Sequence, residues 1–203
     1  AAAEDHAVAK DAMNGRFTVC GIPHQFKDGK IDWTFNPTYN GYREWPWQFA
    51  RMYFLPALAD YYRESGDSRA AQTFVDVVGG FIDSAPPPPP GTRHGDTHSW
   101  RTLDTGLRAT SWVDSYFAFT NSPLLTAAFR EKFGRSLEDH LVRLETPMTS
   151  NNWRIMELRG LVDITLAFPD VARAGERRAA GEEPPRHRID LQRLASRLRD
   201  VAR

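Results

Sequence analysis

The sequence predicts an all-α protein. Three observations carry that prediction. Apolar residues recur every three or four positions over long stretches, which stacks them on one helix face. Only one short segment near the start, "GRFTVCGI", has the alternation and β-branched content of a strand. Glycine and proline stand mainly between the periodic stretches, where they end helices.

Taken in order, "GRFTVCGI" is extended, and "KIDWTF" is its candidate partner in a short N-terminal β-hairpin. "EWPWQFARMYFLPALADYYRESGD" reads as one helix, with Trp45, Phe49, Met52, Leu55, Ala59 and Tyr62 on one face. Pro46 suits its first turn, Pro56 should kink its middle, and Gly66-Asp67 should stop it. "SRAAQTFVDVVGGFIDSA" is a second helix, carried by Phe74, Val77, Val78, Phe81 and Ile82. Pro86 to Pro90 cannot be helical and make a stiff, extended connection. A third long helix runs from about Trp100 to Phe119. Ser122-Pro123 is a starting cap for one or two more, with Phe133, Leu137, Leu141 and Leu144 as their stripe. Ile155, Leu158, Leu161, Val162, Thr165 and Phe168 give the next stripe, closed by Pro169. The last helix is "RIDLQRLASRLRDVAR". The total is roughly six or seven helices, expected as antiparallel hairpins around a shared core.

Charge and composition exclude several classes. Lys plus Arg and Asp plus Glu are equal at 26 each, so nothing global points to nucleic acid or to an anionic membrane. Residues 173–203 depart from that balance, with nine Arg against five acids. The single Cys20 rules out a disulfide within the chain and any multi-cysteine metal site, and its expected place is a small buried one. No apolar run approaches the ~18 residues of a membrane span. "AAAEDHAVAK" is too polar for a signal peptide; with no initiating Met, it is compatible with removal of a leader and export. The phosphate loop, HExxH, CxxC and GxSxG motifs are all missing.

Three constellations remain. His94 and His98 in "RHGDTHS" have the spacing of a helical metal pair, but a glycine-containing loop before a helix does not impose helical geometry. They are expected to face solvent or to hydrogen-bond a ligand, and no metal or cofactor is expected. In "HSWRTLDTGLRATSW", Arg101, Asp104 and Arg108 lie at i, i+3 and i+7. They form either an ion-pair ladder on a solvated face or, beside Trp100, Trp112 and Tyr116, a surface for carboxylated sugars: arginine forks a carboxylate and rings stack on a pyranose. In "MTSNNWRIMELRG", Asn152 either caps the helix or points elsewhere, because Ser150 or Asn151 could cap equally well.

"IDWTFNPTYNGYREWPWQFARMYFLPALADYYRESGD", "SWRTLDTGLRATSWVDSYFAF" and "SNNWRIMELRGLVDITLAFPD" resemble, in order and spacing, the N-terminal toroid of heparinase II/III-type polysaccharide lyases, nearest to the heparin-sulfate lyase domain of the heparinase III kind. The resemblance spans roughly residues 12–174. It implies an incomplete (α/α) toroid over residues 1–175, an Arg-rich tail with a terminal amphipathic helix over 176–203, and a cleft for an acidic, uronate-containing polysaccharide. The toroid is normally followed by a β-sandwich portion. The implied chemistry is β-elimination, in which a base removes the proton α to the uronate carboxylate and the 4-linked sugar leaves as an alcohol. The carboxylate must be neutralised for that carbon to release a proton. The family uses the Asn before Trp, which is Asn152 here, with Trp153 as a cleft wall; Arg101, Arg108, Tyr39 and His98 are expected as further substrate contacts. The family's Tyr and His acid–base pair lies downstream, whereas the last tyrosine here is Tyr116 and the only histidine beyond Trp153 is His187. The chain alone is therefore expected to be inactive. Two other readings follow from the same residues: a non-catalytic module that binds acidic polysaccharide, or a helical-hairpin domain that binds proteins. The planar aromatics with Arg and Asn favour sugar over peptide.

Overall fold

The computed structural model describes residues 2–145 and 149–173. Among these are seven α-helices and one two-stranded sheet: α1 (Ala2–Met13), β1 (Arg16–Val19), β2 (Ile22–Gln25), α2 (Glu44–Phe49), α3 (Phe54–Ser65), α4 (Ser68–Ser84), α5 (Thr102–Tyr116), α6 (Ala127–Leu144) and α7 (Asn151–Ala167). Single 3-10 turns stand at His94–Asp96 and Phe117–Phe119. The chain is mostly helical, as its periodicity requires.

The contacts define two layers. Tyr62 packs on Phe119, Met52 meets Trp112, and Arg51 reaches Asp104, so α3 and α5 run in the same direction. Thr102 bonds Glu157 and Thr110 bonds Asp163, so α5 and α7 also run in the same direction. The return helices α4 and α6 form the other layer, through Phe74 against Phe129 and Lys132 against Asp83. Each hairpin is therefore antiparallel within itself and parallel to the next. The N-terminal ends of α3, α5 and α7 consequently gather at one edge of the molecule.

An aromatic core joins the layers. Phe74 stacks on Phe119 at 4.7 Å, Phe133 stacks on both Tyr116 at 4.6 Å and Trp112 at 5.3 Å, and Phe49 packs on Trp33 at 4.9 Å. Such pairs contribute beyond their burial because ring edges and faces carry opposite partial charge. Helix α5 is buried nearly all round, as a helix at the centre must be. Its polar side chains bond back to its own carbonyls, Thr105 to Arg101 and Ser115 to Ser111.

Several expectations are corrected. The single helix at 44–65 is two, α2 and α3, broken where buried Met52 takes a left-handed backbone (φ 55°). Pro56 explains the position of the break: its ring excludes a helical residue four places earlier, so the new helix starts at Phe54 and the proline falls harmlessly in its first turn. The hairpin partner of β1 is Ile22–Gln25 and not "KIDWTF", because Cys20 and Gly21 (φ 52° and 74°) make a tight two-residue turn. Cys20 is thus exposed rather than buried. The cap of α6 is Thr126, whose hydroxyl accepts from Phe129 N, and not Ser122.

Helix α7 is rotated relative to its predicted face. Glu157, Gly160, Ile164 and Ala167 are buried, while Ile155 (65% exposed), Leu158, Val162 and Leu166 (74%) face outward. The reason is Gly160, which lies against the backbone of Gly106 in α5. A Cβ on Gly160 would come within 2.6 Å of Gly106 Cα, and one on Gly106 within 2.6 Å of Met156 O. No bulkier side chain fits, so the two small residues dictate the rotation and the apolar stripe goes outside. The terminal helix expected at 189–201 lies outside the described residues.

This crossing yields a paired test. Gly160→Ala forces backbone against backbone and should destabilise the protein by about 1–3 kcal/mol. Gly80→Ala on α4 has open space around its Cβ and should stabilise by up to about 1 kcal/mol, the ordinary gain of removing a helical glycine. Thermal melts of the two variants should shift in opposite directions.

Candidate functional site

The edge where α3, α5 and α7 begin is built around Asp104, which is completely buried in the first turn of α5. Arg101 clasps it through Nε (2.6 Å) and Nη2 (3.0 Å). Arg51, set free by the break at Met52, donates from Nε at 2.8 Å and lies 3.7 Å from Glu44. Burial opposes charge on Arg51, but the Asp104 carboxylate outweighs it and holds the guanidinium above its ordinary pKa. Two cations share one buried anion, which locks α2, α3 and α5 at a common end.

The Arg101 guanidinium is also stacked. Its Cζ lies 3.6 Å from the Trp47 ring centroid and 5.3 Å from that of Trp153. This ties the mouth of α7 to α2 across the top of α5. Trp47 Nε1 donates to Thr97 O at 3.4 Å, and Arg43 Nη1 to Gly95 O at 3.2 Å, pinning the 94–97 loop alongside.

At the start of α7, Ser150 holds the N-cap position but caps nothing with its side chain, and Asn151 Nδ2 donates to Ser150 Oγ at 3.3 Å. The expected capping by either residue is therefore not the arrangement found. Asn151 is instead the hinge of the stretch, with a left-handed backbone (φ 62°) that asparagine tolerates better than most residues. The Asn152 side chain is exposed and forms no hydrogen bond with the described residues. None of the helices α3, α5 and α7 has a side-chain cap at its N-terminus, whereas α4 and α6, which start at the other end, are capped by Asp67 and Thr126. Open first turns leave amide N–H groups and the positive helix ends facing this edge.

Behind this edge, Arg108 is fully buried rather than on a solvated face. It donates to Ser99 O (2.7 Å), Ala50 O (3.2 Å) and His140 Nε2 (2.9 Å), and lies over the rings of Phe81 and Trp100. Burial pushes its pKa down to about 9. Because His140 Nε2 accepts, its proton sits on Nδ1, 2.6 Å from Ser136 O. Burial first, and the Arg108 charge second, hold His140 neutral and well below its ordinary pKa.

The predicted site residues therefore separate. Asn152, Trp153 and Arg101 come together. Arg108 supports the edge from within and does not reach solvent. Tyr39 (99% exposed) and His98 stand on surface loops, with no hydrogen bond, ion pair or ring contact to Trp153 or Arg101 among the described residues. Arg51 and Trp47 belong to the cluster and escaped the sequence reading. The available signal was Arg51 itself, a charge placed between the buried residues Phe49 and Met52.

This chain belongs to the family described as heparinase II/III N-terminus, whose model matches residues 1–196. It is thus an N-terminal domain of a polysaccharide-lyase family, and the match extends past residue 170, where the last of the three motifs ends. Among characterised proteins it is similar to the heparin-sulfate lyase of Pedobacter heparinus, with 29% identity over 155 residues, 73% of this chain and 23% of the relative. Its fold is similar to the crystal structure of the heparan sulfate lyase HepC from Pedobacter heparinus (TM-score 0.73, 24% identity, 84% of this chain and 27% of that one). It is similar also to the heparinase III BT4657 gene product (TM-score 0.72, 20% identity, 88% and 29%). The chain spans about a quarter of the length of these relatives.

Two measurements check this geometry. An unfolded chain protonates histidine near pH 6.5, while buried His140 resists until well below that. The folded state then binds fewer protons, so stability should fall as pH drops below about 6.5, by up to about 1.4 kcal/mol per pH unit for this residue. Urea denaturation between about pH 7 and pH 5 should show a shallower decline in His140→Gln than in the parent. At Asn151, where a Cβ-branched residue cannot adopt the left-handed backbone cheaply, Asn151→Val should cost about 1–2 kcal/mol and Asn151→Gly little or nothing.

Proposed function

We propose that this domain forms one wall of the substrate cleft of a uronic-acid polysaccharide lyase, and that Asn152 is the residue that neutralises the uronate carboxylate. The observation that carries this reading is the exposed Asn152 amide, without a partner among the described residues, beside Trp153, whose ring is already braced on Arg101. An asparagine used for capping would have its side chain turned back on the helix; this one is left for a ligand.

The surroundings suit an acidic sugar. Arg51 and Arg101 balance buried Asp104 and nearby Glu44, and three helix ends without side-chain caps supply the positive field. Trp153 and Trp47 offer ring faces for a pyranose. Arg101 acts here as a brace: its Nε and Nη2 are engaged with Asp104, so it steadies the tryptophans and contributes charge instead of forking the ligand. The substrate class is a glycosaminoglycan such as heparan sulfate, in line with the names of the relatives.

In β-elimination the C5 proton leaves, the C4–O bond breaks, a C4=C5 double bond forms and the departing sugar takes up a proton. An amide N–H donated to the carboxylate stabilises the charge that C5 loses its proton into, because the charge spreads onto the carboxylate oxygens. The base and acid for those proton transfers are not among the residues gathered here: no tyrosine follows Tyr116, which is itself buried. The 203-residue chain is therefore a binding wall that holds the substrate without cleaving it.

Incubation of this chain with heparan sulfate should yield no ultraviolet absorbance from an unsaturated uronate, and a rise in that absorbance would show that a base is present. In calorimetric titration with heparan sulfate oligosaccharides, Asn152→Ala should weaken binding by roughly tenfold, as expected for loss of one charge-assisted hydrogen bond. Its melting temperature should stay unchanged, since the side chain caps nothing. Unaltered affinity with lowered stability would make Asn152 structural and remove the basis of this assignment.

A further inference from the structure

The rotation that the Gly106–Gly160 contact imposes on α7 leaves an apolar stripe on the outside of the molecule. Ile155 (65% exposed), Leu158 (41%), Val162 (46%) and Leu166 (74%) form it. At about 100° per residue these four fall on the face opposite buried Glu157, Gly160, Ile164 and Ala167. Their spacing, three residues and then four and four, is that of a seam between two helices. Apolar side chains scattered singly are ordinary on a surface, whereas a continuous row marks a place of contact.

The stripe is also nearly the same when read in either direction. Reversing α7 about its middle, between Gly160 and Leu161, exchanges Ile155 with Leu166 and, to within one residue, Leu158 with Val162. Apolar thus replaces apolar. The same reversal exchanges Arg159 with Asp163, again to within one residue, and here cation replaces anion. These two charges border the stripe on one side, 3.3 Å apart, with 61% and 21% of their side chains exposed. Antiparallel helices related by a two-fold axis bring the same flank of each helix together. Arg159 of one copy then meets Asp163 of the other, and the reverse contact forms with it. A parallel pair would join opposite flanks and set Arg154 of one copy against Arg159 of the other, two like charges.

We infer that α7 is a self-pairing surface, through which two copies of this chain associate with their α7 helices antiparallel about a two-fold axis near Gly160. An isologous contact requires a patch that complements its own copy. This stripe does so in both its apolar spacing and its charge. The pairing uses neither Asn152 nor Trp153, so it does not depend on the function proposed above.

Sedimentation velocity of the chain should show a concentration-dependent monomer–dimer equilibrium below about 100 µM. Val162→Glu, at an exposed position, should leave the thermal melt in place and weaken dimerisation by roughly a hundredfold, and Arg159→Glu should weaken it by roughly tenfold. Orientation is read by oxidative cross-linking in a Cys20→Ser background, which removes the exposed native thiol. Val162 lies near the two-fold axis, so Val162→Cys should give a disulfide-linked dimer. Ile155→Cys alone should not, but it should link to Leu166→Cys when the two variants are mixed. Rapid linkage of Ile155→Cys to itself would mean parallel helices and would overturn the inference. So would a chain that stays monomeric at about 100 µM, or a dimer that neither Val162→Glu nor Arg159→Glu weakens. If Val162→Glu fails to fold, Arg159→Glu and the cysteine pattern still decide. Slow labelling of Ile155→Cys by a thiol reagent in a monomeric chain would give the stripe to residues 174–203 instead of a second copy.

Discussion

The contact on which this structure depends is the close approach of Gly106 and Gly160. Two helix backbones meet there with no side chain between them, and that contact determines the rotation and the axial register of α7 against α5. One turn toward the N-termini, the register places buried Glu157 beside Thr102. One turn further it brings Trp153 to Arg101. Toward the C-termini it sets Asp163 on Thr110. A slip of a single residue would turn α7 by about 100°, moving Glu157 out of reach of its donors and leaving Arg101 without one of its two rings.

Charge is handled differently in the two parts of the structure. At the edge, two arginines share one buried carboxylate, with Glu44 3.7 Å from Arg51, so the ion pairs fasten α2, α3 and α5 to one another. Inside, Arg108 has no carboxylate of its own to hydrogen-bond. It is met by two carbonyls, a neutral imidazole and two ring faces, a set that engages Nε and Nη1 and keeps the histidine uncharged, while Nη2 is buried without a hydrogen-bond partner among the described residues. Removing either partner would strand a buried polar group, which is why such arrangements govern stability more by what their loss costs than by what they contribute.

The break between α2 and α3 links these two regions. It occurs because Pro56 cannot sit in the middle of a helix that includes residue 52, and its effect is to turn Arg51 away from the core stripe and toward Asp104. The same break presents Ala50 O to Arg108 and Met52 Sδ to Trp112 Nε1 at 3.0 Å. A local steric rule thereby supplies one arm of the candidate site and two contacts of the core. The Asn151 backbone plays a similar part at α7, where an unusual φ, and not a side-chain cap, sets how the helix begins.

The sequence by itself determined the helical class, because amphipathic periodicity is a local property: the buried faces of α4 and α6, with Phe74, Val77, Val78 and Phe81 or Phe133, Leu137 and Leu141, are read directly from spacing. It also carried the family, since three motifs keep their order and spacing, and it singled out Asn152, Trp153 and Arg101. Tertiary structure alone decided which face of α7 is inside, since glycine contributes nothing to a hydrophobic pattern and yet only glycine permits the crossing with α5. It decided that Arg108 points inward, because a charge spaced like a surface residue gives no sign that carbonyls and rings await it. It decided as well that Arg51, Trp47 and His94 share an edge with Trp153. They lie between 59 and 106 residues from Trp153 along the chain, and only the parallel setting of α3, α5 and α7 brings their neighbourhoods together.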